Sequence, residues 1–163
     1  MLDLGALPAA LRALLVADGT VTILLGALSG EAVRATPVDA DPPARAANLE
    51  MPATALARAV MLHGQDSGVG YCFARSLLLP GRLPDGFLPA LRQTAAGIGG
   101  AFEGLALETR RVLAWRGRRR DVAVPPDAAA AFAGGGVSRC YAIHHGGVPT
   151  VIIEENFPAG LAL

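Results

Sequence analysis

The sequence predicts an α+β fold, a single antiparallel β-sheet of about six strands with helices packed on one face. Three observations carry that expectation. Helical periodicity comes early in the chain, strand periodicity comes in sequence-adjacent pairs around glycine-rich turns, and the two do not alternate as a doubly wound fold requires. A length of 163 residues, 52% hydrophobic and 17% charged, fits one globular domain spanning 1–163 that needs no disulfide or metal to fold.

Leu7, Leu11, Leu14 and Leu15 recur at helical spacing, and Asp18-Gly19 supplies the stop. A second short helix is expected over 20–28, with Gly30 behind it. Residues 31–38 mix β-branched and polar side chains, and 39–45, with Pro42-Pro43, read as loop. Segments 56–63 and 69–79 form a hairpin about the turn 64–68, and Pro80 closes its second strand. A helix over 85–95 puts Phe87, Leu88 and Leu91 on one side. Gly97-Ile98-Gly99-Gly100 lacks both the G-x-G-x-x-G spacing and the leading strand of a phosphate loop, so it reads as flexible backbone near a site. Residues 108–115 alternate as a strand. Segments 137–145 and 150–157 make a second hairpin about Gly146-Gly147, which Pro158 ends.

Composition excludes several chemistries. All 14 cationic side chains are arginine, so Schiff-base formation, lysine general bases and a P-loop lysine are ruled out. Fourteen carboxylates balance them, and this neutrality argues against nucleic-acid binding. The basic run Arg116, Arg118, Arg119 and Arg120 reads as a solvated loop tip. Arg12, Asp18 and Gly19 interrupt the longest apolar stretch, 11–28, and the N-terminus shows no signal-peptide pattern, so no membrane partner and a cytoplasmic location are expected. Cys72 and Cys140 lie in apolar runs as small buried hydrophobes. His144 and His145 are adjacent on a strand and point to opposite faces, so with His63 they make no metal site. Ser76 and Ser138 lack a nucleophile-elbow context.

Charges inside apolar strands are the informative exceptions. Arg58 interrupts 55–62, Arg75 interrupts 72–77, and Glu154 and Glu155 follow Val151-Ile152-Ile153. A desolvated charge needs an opposite partner or an anionic ligand. Neighbouring strands carrying Arg58, Arg75 and Glu154 would enclose an apolar pocket with two cations and a carboxylate. A purely structural Arg–Glu pair explains the same pattern.

Four segments, 14–22, 58–62, 74–80 and 149–154, followed by Phe157-Pro158, occur in an order and at separations that resemble the chorismate pyruvate-lyase family across nearly the whole chain. The resemblance implies a chorismate lyase-like fold with the ligand beneath helical flaps. It implies conversion of chorismate to 4-hydroxybenzoate and pyruvate by elimination, without metal or organic cofactor, for ubiquinone or secondary-metabolite biosynthesis. By the same resemblance Arg58 and Glu154 are the catalytic pair. Arg58, assisted by the backbone amides of Val21 and Ile98, binds the ring carboxylate, Glu154 meets the ring hydroxyl, and Arg75 serves the enolpyruvyl carboxylate. Two departures stand out. Gly97-Ile98-Gly99 replaces a Pro-Leu-Gly-like turn, which should loosen the flap. Matching from Pro149 and Pro158 selects Glu154 as the pocket carboxylate, whereas strand alternation puts Glu155 on the more apolar face with Val151, Ile153 and Phe157, so Glu154 is carried and Glu155 is the alternate. The same fold also resembles effector-binding domains of transcription regulators, so a non-catalytic domain that binds aromatic carboxylates is the alternative. No DNA-binding segment accompanies the 163 residues, which disfavours a regulator, and a monomer is the default oligomeric state.

Overall fold

The computed structural model describes residues 2–41, 54–119, 124–161 and 163. Most of the loop expected over 39–45 and Arg120 of the basic run lie outside the described residues. Four α-helices and six strands appear among those described: α1 (Ala9–Val16), α2 (Val21–Ser29), β1 (Val33–Val38), β2 (Leu56–Gly64), β3 (Gly70–Leu78), α3 (Phe87–Gln93), α4 (Gly97–Gly104), β4 (Arg110–Arg119), β5 (Gly136–His145) and β6 (Val148–Pro158). The strands form one antiparallel sheet in the order β1-β2-β3-β6-β5-β4.

The local chemistry explains most boundaries. Leu11, Leu14 and Leu15 are buried on one face of α1, and α2 ends at Gly30, whose φ of 76° supplies the left-handed residue that closes a helix. The β5–β6 turn has Gly146 and Gly147 at φ 59° and 83°, a pair of positive angles that side-chain-bearing residues resist. Two expectations need correction. The glycine-rich segment at 97–100 opens helix α4, because Ile98, Ala101 and Phe102 are buried on one side of it and this packing outweighs the low helix propensity of glycine. Arg116, Arg118 and Arg119 belong to strand β4, not to a loop tip. Pairing with β5 overrides their local turn chemistry.

The four helices share one face of the sheet. Helices α1 and α2 pack on Val60, Leu62, Cys72, Val137 and Phe157, while α3 and α4 pack on Leu78, Ile143, Val151 and Ile153. Ala128 and Phe132, from a short turn segment, cover Ala59, Met61 and Phe73 on the opposite face. Cys72 and Cys140 are buried, and burial pushes the Cys72 thiol well up. No helix among the described residues is long and apolar enough to cross a membrane.

Glu31 fastens the β2–β3 turn. Its carboxylate accepts from the Asp66 and Ser67 amides at 2.8 and 2.9 Å and from the Ser67 and Tyr71 hydroxyls, and it lies where a Gly64 side chain would be. The Ser67 and Tyr71 hydroxyls, followed by the two amides, lower its pKa from 4.5 to about 2. Because the folded value is depressed, this contribution is complete above the ordinary glutamate range and is lost as pH falls from about 4.5 toward 2. Urea denaturation of the Glu31→Gln protein is expected to show a lower midpoint than wild type at pH 7 and a smaller gap at pH 3; an equal gap at both pH values would exclude the role.

Candidate functional site

Register decides which charges meet. In the β2–β3 ladder Arg58 stands opposite Ser76 and Arg75 stands opposite Ala59. In the β3–β6 ladder Arg75 faces Glu154 and Ala74 faces Glu155, and in the β5–β6 ladder Arg139 faces Glu155. Partners in register share a face and successive residues alternate. Arg58, Ser76, Arg139 and Glu155 therefore lie under the helices, and Arg75 and Glu154 lie on the other side of the sheet.

The single pocket expected to hold Arg58, Arg75 and Glu154 is corrected by this geometry. Arg75 donates to Glu154 at 2.6 Å, Arg119 donates to the other carboxylate oxygen at 3.0 Å, and Asn156 adds a longer bond. Glu154 is fully buried and Arg75 is 6% exposed. These residues form a structural ion cluster on the face away from the helices. Arg58 and Arg75 do sit on neighbouring strands, but 17 positions apart they fall on ladder positions of opposite parity.

The helix-covered face carries the cavity. It holds about 480 Å³ of empty space, part of it open to solvent, between the first turns of α2 and α4. Val60, Leu62, Ile143 and Ile153 make its walls apolar, and Arg58, Ser76, Tyr141 and Glu155 supply polar groups. Val21 and Ile98, expected to contribute backbone amides, both line it. Neither helix N-terminus carries a side-chain cap, as is true of all four helices among the described residues. Thr20 holds the N-cap position of α2, yet its hydroxyl donates to Glu103 of α4 at 2.8 Å, and Ala96 at the start of α4 has nothing to cap with. First-turn amides have no intrahelical acceptor, so both helices present bare N–H groups and the positive ends of their dipoles to the cavity. Gly99 permits the approach, since a β-carbon there would fall within 2.5 Å of the Thr20 hydroxyl.

Three charged side chains line the cavity, Glu155, Arg58 and Arg111, and the first two differ in kind. Glu155, 1% exposed, accepts from Arg139 Nε at 2.6 Å and from the Tyr141 hydroxyl at 2.8 Å. Burial, then the Glu155 carboxylate, pushes the Tyr141 phenol well up, so it stays a donor. Burial works most strongly against the charge on Arg139, but Glu155 and Tyr141, with a smaller part from Cys72, together outweigh it and the pKa is raised. Arg58 has no such support. It is half-buried, burial lowers its pKa, and no carboxylate or carbonyl accepts from its guanidinium among the described residues. Strand alternation thus selects the carboxylate of the cavity as Glu155, the alternate to Glu154. Arg139 was missed by sequence reasoning, although it interrupts the apolar run 137–143 just as Arg58 and Arg75 interrupt theirs.

No protein-family profile and no curated protein sequence matches the chain. Solved structures do. The C-terminal domain of PhnF superposes with a TM-score of 0.55 at 14% identity, covering 79% of this chain and 83% of that one. The C-terminal domain of the histidine utilization repressor from Pseudomonas syringae pv. tomato str. DC3000 gives 0.50 at 11% identity, covering 80% and 94%. Identity at this level shows a shared fold. The α+β architecture observed is the chorismate lyase-like fold expected of the chain.

Removing Glu154 strands the guanidinium groups of Arg75 and Arg119 on the face away from the helices, whereas the cavity lies on the helix-covered face. Glu154→Ala is expected to lower folding stability by about 3–5 kcal/mol, the cost of breaking a buried ion pair, measurable by chemical denaturation. A loss under about 1 kcal/mol, the range of an exposed pair, would contradict the structural role.

Proposed function

We propose that the chain binds a small organic carboxylate of hydroxybenzoate dimensions between α2 and α4. The observation that carries this reading is Arg58, a half-buried cation with no acceptor among the described residues, facing a cavity at which two uncapped helix N-termini converge. Burying a charge without a partner is costly, and an anion supplied by a ligand removes that cost. The ligand carboxylate takes the Arg58 guanidinium and the amides of Val21 and Ile98, in charge-assisted bonds that fix its orientation. Its apolar body lies on Val60, Leu62, Ile143 and Ile153. A hydroxyl at its far end donates to Glu155, whose oxygens keep lone pairs beyond those used by Arg139 and Tyr141. The fold's occurrence in a domain of a repressor supports binding as a sufficient role for such a cavity.

The presence of Glu155 in the same cavity as Arg58 favours a second reading, chorismate pyruvate-lyase activity. In that reaction the enolpyruvyl ether breaks and the ring becomes aromatic, so the driving force lies in the substrate. The chain's residues would hold the ring carboxylate at Arg58, exclude water beneath the helices, and place the Glu155 carboxylate beside the hydroxyl-bearing ring carbon, whose C–H proton leaves as the ether C–O bond breaks and is taken up by the methylene of the departing enolpyruvate. Arg139 and Tyr141 would keep that carboxylate oriented.

Calorimetric titration with 4-hydroxybenzoate, together with a chorismate incubation followed for pyruvate, separates the two readings. Saturable binding without pyruvate release supports the binding domain, and stoichiometric pyruvate and hydroxybenzoate support the lyase. Failure of both compounds to bind would sink both. Arg58→Ala is expected to weaken 4-hydroxybenzoate about 10- to 100-fold, the worth of one charge-assisted contact. The same substitution should leave the denaturation midpoint unchanged or raise it, because it removes an unpaired charge. If turnover is found, Glu155→Gln should abolish it while Glu154→Gln acts on stability.

A further inference from the structure

A second cavity of about 490 Å³ of empty space, partly open to solvent, lies beside the first, between the end of α1 and strands β4 and β5. Arg111 and Tyr141 line both cavities. The second adds Arg116, Arg139 and Asp18. Three features of it serve no purpose in the fold. Arg116 stands directly opposite Arg139 in the β4–β5 ladder, and like charges at facing positions destabilise a sheet. Arg139 is 2% exposed and gives Nε to Glu155 and Nη1 to the Ala17 carbonyl at 2.6 Å, yet its buried Nη2 has no acceptor. Arg111 gives Nη1 to the Asp18 carbonyl at 3.2 Å, and its buried Nε also lacks one.

Charge balance points the same way. Arg58, Arg111, Arg116 and Arg139 line the two cavities against only Glu155 and Asp18 as carboxylates among the described residues. Two positive charges are left over. Arg58 accounts for one, and the other lies at the three-arginine cavity.

We propose that this second cavity is an oxyanion site, in which a carboxylate or phosphate group lies between Arg111, Arg116 and Arg139. The group relieves the facing guanidinium pair and draws on donors that the fold leaves unused. It has two sources, a second acidic group on the ligand held at Arg58 or a free phosphate ion. The first source rests on the binding reading above, and the second stands without it.

Calorimetry on the full chain distinguishes the sources. The titrants are inorganic phosphate alone, 4-hydroxybenzoate, and 4-hydroxybenzoate bearing a carboxymethoxy group at ring position 3. A dianionic ligand that binds about tenfold or more tighter than the monoanionic one, with the ratio collapsing toward one in Arg116→Gln, establishes the first source. Phosphate binding on its own that Arg116→Gln removes establishes the second. Arg116 is exposed, so the variant retains the fold and its result is readable. Absence of phosphate binding together with equal affinity for the two ligands, or insensitivity of both measurements to Arg116→Gln, would overturn the proposal. Failure of 4-hydroxybenzoate itself to bind tells instead against the Arg58 reading, and the phosphate titration then decides the second site alone.

Discussion

Two consecutive carboxylates are buried at the middle of the sheet, and the rest of the molecule is arranged around that fact. Glu154 and Glu155 sit side by side on β6 with almost no solvent exposure, one on each face. Neither charge survives burial without a guanidinium at hydrogen-bond distance. Arg75 and Arg119 supply this below the sheet, and Arg139 supplies it above. A slip of one residue in β6 would move one carboxylate into the other's place and leave either Arg139 or the Arg75–Arg119 pair without a partner. The double ion pairing therefore fixes the register of the central strands, and with it the set of side chains that reach the helix-covered face.

Once those pairs are made, the remaining arginines on the helix-covered face stand out. The cluster below the sheet has two cations on one carboxylate, keeps one buried nitrogen of Arg75 idle, and stacks Arg75 on the Phe73 ring. Above the sheet Arg58 and Arg116 have no carboxylate, and Arg111 and Arg139 each keep a buried nitrogen idle. Helices α2 and α4 add bare amides at the same place, held together by the Thr20–Glu103 bond. A fold optimised for stability alone would have replaced Arg58 with an apolar residue. The costs gathered around this apolar cavity support the anion binding proposed above.

Much of this was legible in the chain. Glycine and proline at the turns, with apolar alternation between them, placed both long hairpins, and the leucine spacing placed α1. Arg58 stood out as a charge in an apolar strand, and Val21 and Ile98 came from the family resemblance. Three things were not legible, for physical reasons. The parity separating Arg58 from Arg75 depends on how many residues the β2–β3 turn consumes and on the irregularity at Leu62 and His63, which no local propensity encodes. Helix α4 begins in a glycine-rich segment and forms because Ile98 and Phe102 pack on a sheet that is assembled from distant strands. The choice of Glu155 was available from alternation, but motif matching favoured Glu154, and an ungapped match carries no information about faces.

The central claim is that an anionic ligand occupies the helix-covered face at Arg58 and leaves the Arg75–Glu154 cluster untouched. Backbone amide shifts in an isotope-labelled sample titrated with 4-hydroxybenzoate test it directly, because each face of the sheet reports separately. Saturable shifts centred on the amides of Val21, Thr22, Ile98 and Gly99, with Phe132 on the covered opposite face unmoved, are the expected result. Shifts centred on Ala128 and Phe132 instead, or no saturable shift at any amide, would contradict it.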